Sequence, residues 1–323
     1  MKSSPTQLAI VTGATSGLGF FCARQIARDK SWSLLIAGRN AERNMAACTK
    51  LKKATGNKNI QTAELDLESL SSVRKFVTEF EKEPGSVPLK AVICNAGLQF
   101  LSDDQRSPDG FERAFAINHL GHFLFVNLLL PQIAEGGRIT FVASGTHDPA
   151  QKTGLPAPVY ENAQFFAHPD QNPDRRLENS STRGRRAYAA SKLCNILTAY
   201  ELQRRMLATD NAVLRSLKVN AFDPGLMPGS GLARDYKAWQ QFFWRWVLPV
   251  LTLLPGNINL PRTSGKRLAR LATGRRHKEA AGLYFEGASP IRSSIDSYNE
   301  TFADNLWSVS ETLCGMTNNP VTV

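Results

Sequence analysis

Short apolar runs alternate with longer segments in which apolar residues recur at helical spacing, and this pattern covers most of the chain. The short runs are rich in valine, isoleucine, leucine and alanine, which is typical of strands buried on both faces. The predicted strands span residues 8–11, 33–37, 60–64, 90–94, 138–143, 217–221 and 282–285. The predicted helices span residues 17–28, 41–55, 69–80, 110–132, 187–207 and 298–314. Such alternation predicts an α/β fold, a doubly wound parallel sheet of about seven strands with helices on both faces.

Two segments interrupt the alternation within what we interpret as a single domain, residues 1–323. Residues 145–186 are rich in proline and polar residues, so we expect a long inserted loop there. Residues 226–262 include an aromatic and apolar stretch, residues 239–254. Both segments follow elements that carry candidate site residues, so we expect them to form walls of a substrate pocket, the second as a lid. The stretch 239–254 could instead be a core helix, or a helix lying on a membrane surface.

A glycine-rich turn follows the first predicted strand and reads Thr12-Gly13-Ala14-Thr15-Ser16-Gly17-Leu18-Gly19. Gly13 permits a tight turn, Gly17 lets backbone amides approach a phosphate, and Gly19 permits close packing of helix on strand. The pyrophosphate of a dinucleotide would lie at the helix N-terminus, among the amides of this turn. The spacing differs from the common Gly-x-Gly-x-x-Gly pattern, and such a match alone is often only a turn.

The residues that follow the second, third and fourth predicted strands indicate which dinucleotide the chain binds. A site for NAD places Asp or Glu after the second strand, but this chain has Ala37-Gly38-Arg39-Asn40. The guanidinium of Arg39 could bind a 2′-phosphate, which predicts NADP(H), although a solvated surface arginine is the alternative. Asp66, beside Leu67, could accept a hydrogen bond from the adenine or cap the following helix. Asn95, Ala96 and Gly97 are small residues where the backbone must pass close to the cofactor.

Tyr188 and Lys192 stand one helical turn apart and suit proton transfer during reduction of a carbonyl. A free tyrosine has a pKa of about 10, which is too high for ready proton exchange at neutral pH. A nearby ammonium stabilises the phenolate and lowers that pKa. Lys192 could also donate to the nicotinamide ribose, and Ser144, at a strand end, could hold the carbonyl oxygen. A Tyr-x-x-x-Lys pair alone is common on helix faces, so its weight comes from the glycine turn upstream.

These motifs, in this order, resemble the short-chain dehydrogenase/reductase family, which has a Rossmann fold. The matching residues are Thr12, Gly13, Gly17, Gly19, Asn95, Ala96, Gly97, Asn118, Ser144, Tyr188, Lys192, Pro224 and Gly225. The resemblance implies that the carbonyl of Asn118 positions a water that relays protons to Lys192. It also implies catalytic roles for Asn118, Ser144, Tyr188 and Lys192. Pro224 and Gly225 are implied to contact the cofactor.

Within the family, the chain looks closest to a branch that includes retinol-dehydrogenase-like enzymes and the light-dependent protochlorophyllide oxidoreductases. The segments that resemble the latter are Asn118-His119-Leu120-Gly121-His122-Phe123 and Tyr188-Ala189-Ala190-Ser191-Lys192-Leu193-Cys194-Asn195, with two more near Ser264 and Leu306. Leu226 stands where those oxidoreductases carry a cysteine, and Gly229 replaces a hydroxyl that commonly contacts the nicotinamide carboxamide. Ser230 could substitute for that hydroxyl. We therefore expect a relative that acts in the dark.

Charge and composition limit the kinds of ligand, partner and compartment that suit this chain. The formal charge of +11 suits an anionic ligand, an acidic membrane surface or nucleic acid, but no nucleic-acid-binding motif is present. Five cysteines without a C-x-x-C pair predict reduced thiols in a cytoplasmic compartment. No signal peptide is expected, and no stretch approaches the roughly 20 apolar residues of a membrane span. His119 and His122 stand three apart, but a third metal ligand is not evident, so we expect packing roles and no metal.

The sequence thus predicts an NADP(H)-dependent oxidoreductase that transfers a hydride between nicotinamide and a carbonyl or alcohol of a bulky hydrophobic substrate. One alternative is a light-dependent double-bond reductase of the protochlorophyllide type. Another is a non-catalytic NADP sensor or scaffold. Peripheral membrane contact and a homodimer are both compatible with the chain. The sequence leaves open the substrate, the direction of hydride transfer and its stereochemistry.

Overall fold

The computed structural model describes residues 5–82, 87–227 and 259–316. Within these ranges the strands are β1 (Gln7–Thr12), β2 (Trp32–Gly38), β3 (Ile60–Glu64), β4 (Leu89–Cys94), β5 (Ile133–Val142), β6 (Lys218–Asp223), β7 (Leu283–Glu286) and β8 (Ser289–Ile291). The helices are α1 (Gly17–Ile26), α2 (Ala41–Thr55), α3 (Leu70–Lys82), α4 (Arg113–Gln132), α5 (Ala163–Ala167), α6 (Ser180–Ala208), α7 (Ala212–Ser216), α8 (Pro261–Thr273) and α9 (Glu300–Leu313).

The strands form one sheet in the order β3-β2-β1-β4-β5-β6-β7-β8. The first seven strands pair in parallel, and β8 pairs antiparallel to β7. The chain runs outward from β1 to β3, then returns to β4 on the other side of β1. Strand order therefore reverses between β1 and β4, and in sheets of this kind ligands bind at the carboxyl ends beside such a reversal. The predicted doubly wound Rossmann sheet is confirmed.

Helices cover both faces of the sheet because the strands are apolar on both sides. In β1, Ile10 faces a core cluster that contains residues of α3, α4, α6 and α9. Its neighbours Ala9 and Val11 face a second cluster that contains residues of α1, α2 and α8. All three side chains are fully buried. A strand with apolar residues at every position cannot lie at a surface, which is why the periodicity predicted a covered parallel sheet.

Within the described ranges, helix α4 alone is long and apolar enough, by length and composition, to cross a membrane. This contradicts the expectation that no stretch approaches such a length. In the structure, however, 89% of its most apolar stretch is buried inside the protein. Phe123, Leu124 and Phe125 are fully buried against the sheet and α3. The apolar surface of α4 is thus buried by packing inside the protein.

Several predicted boundaries are wrong. Helix α6 begins at Ser180 rather than at residue 187, because the side chain of Asn179 accepts a hydrogen bond from the backbone N–H of Thr182 and caps it. The inserted segment 145–186 is therefore shorter than expected and contains the small helix α5 and several 3-10 turns. Strand β8 was not predicted, since its three exposed residues include Pro290 and carry no apolar pattern. Of the predicted lid, residues 226–262, the part from 228 to 258 lies outside the described residues, and it includes Gly229, Ser230 and the stretch 239–254.

Candidate active site

The glycine turn after β1 has a shape that side chains would prevent. Gly13 has φ +66°, and a Cβ there would lie 2.8 Å from the Cα of Ala96. Gly17 has φ +56°, and a Cβ there would meet no atom within 4 Å, so this position opens onto free space. A Cβ on Gly19 would lie 2.7 Å from the carbonyl oxygen of Gly13 and would also contact Asn95. The turn thus brings backbone amides at the start of α1 to the edge of the sheet.

Thr12 and Asn95 fasten this turn to the end of β4. The hydroxyl of Thr12 accepts hydrogen bonds from the backbone N–H groups of Asn95 (2.9 Å) and Ala96 (3.0 Å). The amide of Asn95 donates to the carbonyls of Thr12 (2.8 Å) and Gly13 (3.2 Å). Sequence reasoning assigned Asn95 only a place beside the cofactor. The structure adds that its side chain shapes the phosphate-side turn.

A cavity of about 420 Å³ lies at the carboxyl edge of the sheet, where strand order reverses. All but one of the residues expected at the site line it. These are Gly13, Thr15, Ser16, Gly17, Leu18, Gly19, Arg39, Asp66, Leu67, Asn95, Ala96, Gly97, Ser144, Tyr188, Lys192, Pro224 and Gly225. Lining residues that the sequence did not identify include Asn40, Arg43, Asn44, Leu98, Ile117 and Met227. The exception is Asn118.

Two arginines lie at the β2 end of the cavity. The side chain of Arg39 is 50% exposed, and its Nη1 is 3.4 Å from Oε2 of Glu68. Arg113 binds the same carboxylate more closely, at 2.6 Å and 3.1 Å, so Glu68 holds Arg39 only weakly. Arg43, in the first turn of α2 and four residues after Arg39, also lines the cavity. Two guanidinium groups are therefore available for an anion.

Asp66 lies between β3 and α3, at the edge of the cavity. It lines the cavity, and its Oδ1 accepts a hydrogen bond from the backbone N–H of Glu68 at 3.1 Å. The backbone N–H of Asp66 donates to the hydroxyl of Ser72 at 3.0 Å. These bonds order the turn between β3 and α3. Helix α3 begins only at Leu70, so Asp66 shapes the approach to the helix rather than its first turn.

Ser144, Tyr188 and Lys192 lie at the β5 end of the cavity. Tyr188 is 6% exposed and Lys192 is 3% exposed. The Nζ of Lys192 is 5.5 Å from the centroid of the Tyr188 ring and donates to the carbonyl of Val142 at 3.2 Å. Burial lowers the pKa of the Lys192 ammonium to about 8, and the carboxylate of Asp223 opposes this shift. An ammonium that is dry and close to a phenol is the arrangement that proton transfer by tyrosine requires.

Asn118 lies behind the cavity wall in a π-helical turn of α4, Ala116–Leu120. Its Oδ1 accepts from the backbone N–H of Leu98 at 2.7 Å, and its Nδ2 donates to the hydroxyl of Ser191 at 2.9 Å. A Cβ on Gly97 would lie 3.2 Å from Asn118 Oδ1 and 3.3 Å from Lys192 Nζ. Asn118 and Lys192 thus flank the same glycine. A π turn redirects backbone carbonyls, and such turns are frequent at functional sites.

The two histidines of α4 have separate partners. The Nε2 of His119 lies 2.9 Å from the hydroxyl of Ser310 in α9, which fits the expected packing role. The Nδ1 of His122 lies 3.1 Å from the carbonyl of Asn118, and its Nε2 lies 2.9 Å from the hydroxyl of Thr12. Because a carbonyl can only accept, Nδ1 carries the proton. Burial lowers the pKa of His119 to about 3 and that of His122 to about 4, so both are neutral.

Arg183 and Arg186, near the start of α6, form ion pairs with acidic side chains. Arg183 donates to Asp103 at 2.9 Å, and Arg186 donates to Glu178 at 3.0 Å. Both line a second cavity of about 280 Å³, formed with the inserted segment. Helical geometry puts them on the side of α6 away from Tyr188. Among the described residues, no group of three His, Cys, Asp or Glu side chains is arranged to hold a metal ion. All five cysteines are free and buried.

Comparison with known proteins identifies the family of this chain. A family model described as short chain dehydrogenase matches residues 7–161. Polyprenol dehydrogenase of Homo sapiens is 30% identical over 97% of this chain and 86% of its own length. The chain belongs to the short-chain dehydrogenase/reductase family. This family is an oxidoreductase family, so the resemblance found in the motifs is confirmed.

Other relatives match the predicted branch of the short-chain dehydrogenase/reductase family. Retinol dehydrogenase 13 of Homo sapiens is 30% identical over 97% of this chain and 86% of its own length. Protochlorophyllide reductase A of Oryza sativa subsp. japonica is 28% identical over 96% of this chain and 81% of its own length. A solved structure of an uncharacterized protein from Mycobacterium Paratuberculosis is 26% identical, with a TM-score of 0.66, and covers 97% of this chain and 94% of that one.

Proposed function

We propose that this chain is an NADP(H)-dependent oxidoreductase that interconverts an alcohol and a carbonyl of a bulky hydrophobic substrate. One observation carries the proposal. A single cavity is lined by Tyr188, Lys192 and Ser144 beside β5 and by Arg39 after β2. Three strand spacings, about 14 Å, separate those two ends, and the glycine turn lies between them. A phosphate-binding turn between a guanidinium and a Tyr–Lys pair fits an extended dinucleotide.

The residues present fit NADP(H). The open space at Gly17 and the amides at the start of α1 would hold the pyrophosphate. Arg39 and Arg43 would hold the 2′-phosphate, since Glu68 is already bound by Arg113 and no acid ends β2. Lys192 would donate to the nicotinamide ribose. When bound, the cofactor supplies or accepts the hydride at the nicotinamide ring.

The side chains of this chain handle the proton. In reduction, the hydroxyl of Tyr188 donates a proton to the substrate oxygen, and in oxidation the phenolate takes it back. The ammonium of Lys192 lowers the pKa of Tyr188 by stabilising the phenolate. Ser144 donates a hydrogen bond to the substrate oxygen and holds it near Tyr188. The carbonyl of Asn118 accepts from a water on the path between Lys192 and solvent.

The substrate class rests on the relatives and on the cavity wall. Polyprenol and retinol dehydrogenases are named for long apolar alcohols. In this chain Leu98, Ile117 and Met227 line the cavity, and Leu226 is 44% exposed beside it. Apolar walls with a few polar groups near the reacting atom suit an apolar alcohol or ketone. We propose that residues 226–262 complete this wall.

A light-dependent double-bond reductase is the second candidate, and similarity to protochlorophyllide reductase A favours it. The two candidates are separated by measuring NADPH oxidation in darkness and under light. The substrates should include retinoids, polyprenols, steroids, aromatic ketones and a tetrapyrrole. We expect turnover of an alcohol or carbonyl in the dark. Turnover that requires both light and the tetrapyrrole would contradict the proposal.

The proton-transfer role is tested with Tyr188→Phe. Loss of the hydroxyl removes the proton donor, so turnover should fall about 10²–10⁴-fold. NADPH affinity, measured by fluorescence titration, should change little, because the ring and its packing remain. A matched control is Tyr298→Phe, which removes a hydroxyl in a half-exposed residue of the described chain that does not line the cavity. Retained turnover in Tyr188→Phe would overturn the mechanism.

A further inference from the structure

Asp223, the last residue of β6, is a buried acid that the proton-transfer scheme does not use. It is 2% exposed. Its Oδ1 accepts from the backbone N–H of Gly225 at 2.8 Å, and its Oδ2 accepts from the hydroxyl of Tyr284 at 3.1 Å. The backbone N–H of Gly145 also donates to it. A buried carboxylate needs several donors to remain ionised, and three elements supply them here.

The carboxylate of Asp223 therefore holds the loop that carries Ser144. A Cβ on Gly145 would lie 3.2 Å from Oδ2 of Asp223, so the backbone after Ser144 packs directly on the acid. His147 fixes the same loop from the other side. Its Nδ1 donates to the carbonyl of Ser144 at 2.7 Å, and its Nε2 accepts from the backbone N–H of Ser294 at 3.0 Å.

The same carboxylate acts electrostatically on Lys192. Burial favours the neutral amine at this position, and the negative charge of Asp223 is the influence that opposes burial. The Nζ of Lys192 donates to the carbonyl of Val142, and Val142 pairs across β5 and β6 with Phe222, the residue before Asp223, so the two groups share one buried region. The titratable and charged groups facing the pair in the described part of the chain are Tyr188, His122, His147, Tyr284 and Glu286. Burial lowers the pKa of His122 to about 4 and also lowers the pKa of His147. The His147 ring is neutral because its Nε2 accepts a hydrogen bond.

We propose that Asp223 is a positioning residue that fixes the Ser144 loop and places a negative charge near the ammonium of Lys192. The side chain of Asp223 thereby couples Ser144, which would orient the substrate oxygen, to Lys192, which would lower the pKa of Tyr188. The charge state of Lys192 is inferred from the structure alone, whereas its consequence for turnover rests on the proposed function.

A pH window follows from the two groups. Burial raises the pKa of Asp223 to about 6, and its hydrogen bonds to Gly225 and Tyr284 limit the rise. The pKa of Lys192 is lowered to about 8. Between these values the pair is carboxylate and ammonium. Above the upper value Lys192 loses its proton, and without the charge of Asp223 that loss should come at lower pH.

The decisive measurement is the titration of Lys192 by NMR on the full chain, with isotope-labelled lysine side chains and without substrate. The signal is assigned by its absence in Lys192→Met. In Asp223→Asn, we expect the titration midpoint of Lys192 to fall by about one pH unit, as loss of a nearby opposite charge requires. The basic limb of the turnover profile should move by the same amount.

Glu286→Gln is the matched control, because Glu286 pairs with Asp223 across β6 and β7 and acts on it through its charge. We expect a much smaller shift of the Lys192 midpoint in this variant. An unchanged midpoint in folded Asp223→Asn would overturn the inference. A shifted midpoint in a protein that turns over no substrate would support the inference while defeating the proposed function.

If Asp223→Asn does not fold, the native chain still decides the matter. The Lys192 signal should then show a second, smaller step near pH 6, where Asp223 takes up its proton. Tyr284→Phe removes a hydrogen bond to the carboxylate and should move that step to higher pH. A single-step titration in both proteins would overturn the inference.

Discussion

The two ends of the cavity are built in different ways. At the phosphate end, the shape depends on local backbone at Gly13 and Gly17, which have positive φ, and on hydrogen bonds that join Thr12 to the end of β4 at Asn95. At the chemical end, the loop of Ser144 is held by side chains from distant segments, Asp223 and His147. The glycine turn of the first end can be read from one stretch of sequence, whereas the loop of Ser144 is held in place only after β5, β6 and β7 are assembled.

Both ends lie at the carboxyl edge of the sheet, but they differ in exposure to solvent. Lys192 and Asp223 are each at most 3% exposed, and both pKa values are shifted by burial. The arginines at the other end are wetter, since Arg39 is half exposed. Changes at the chemical end should therefore alter rates and pH dependence. Changes at the phosphate end should alter affinity and the choice of cofactor.

The largest effect is expected at the chemical end. Lys192→Met removes a buried ammonium, so turnover should fall about 10²–10⁴-fold through loss of proton transfer at Tyr188. The melting temperature should hold or rise, because a desolvated charge is replaced by an apolar side chain of similar length. Turnover and thermal melting are compared with those of Lys218→Met. Equal losses in the two variants would show that the chemical end does not depend on Lys192.

The next effect concerns the phosphate end. Gly13→Ala combines the strain of positive φ, about 1–2 kcal/mol, with a contact to the Ala96 backbone, so NADPH affinity and melting temperature should both fall. Gly136→Ala is a matched control, since Gly136 has φ +68° with nothing within 4 Å of an added Cβ. Calorimetric unfolding and NADPH titration give both quantities. If Gly136→Ala weakens NADPH binding equally, close packing at Gly13 is not what shapes the site.

The smallest effect should sharpen the comparison without damaging the fold. Arg39→Ala removes one of two guanidinium groups near the 2′-phosphate, so preference for NADPH over NADH should drop by about tenfold, or ~1.4 kcal/mol. Arg28→Ala, at an exposed arginine outside the cavity, is the control. Affinities for the two cofactors are measured side by side. An unchanged ratio would leave Arg43 as the residue that selects the cofactor.

Much of the architecture followed from sequence pattern because each predicted element has its own local cause. Short apolar runs predicted seven strands, which the structure buries on both faces. The closely spaced glycines predicted the turn after β1, where Gly13 and Gly17 have positive φ. Errors occurred where the local pattern is weak. The start of α6 depends on the cap at Asn179, and β8 forms only because β7 offers a partner to three exposed residues. The second cavity beside Arg183 likewise needs the inserted segment in place.

For the site, the sequence by itself determined which residue types are present and which share a turn or a helix face. Tyr188 and Lys192 are neighbours in any helix, and Gly13, Gly17 and Gly19 are close in any turn of this length. Only the tertiary structure brought Arg43 to the cavity, moved Asn118 behind its wall and set Asp223 beneath Ser144. Those relations cross between strands far apart in sequence. Burial, which sets the charge states of Lys192 and Asp223, is a property of the assembled sheet and helices rather than of any segment.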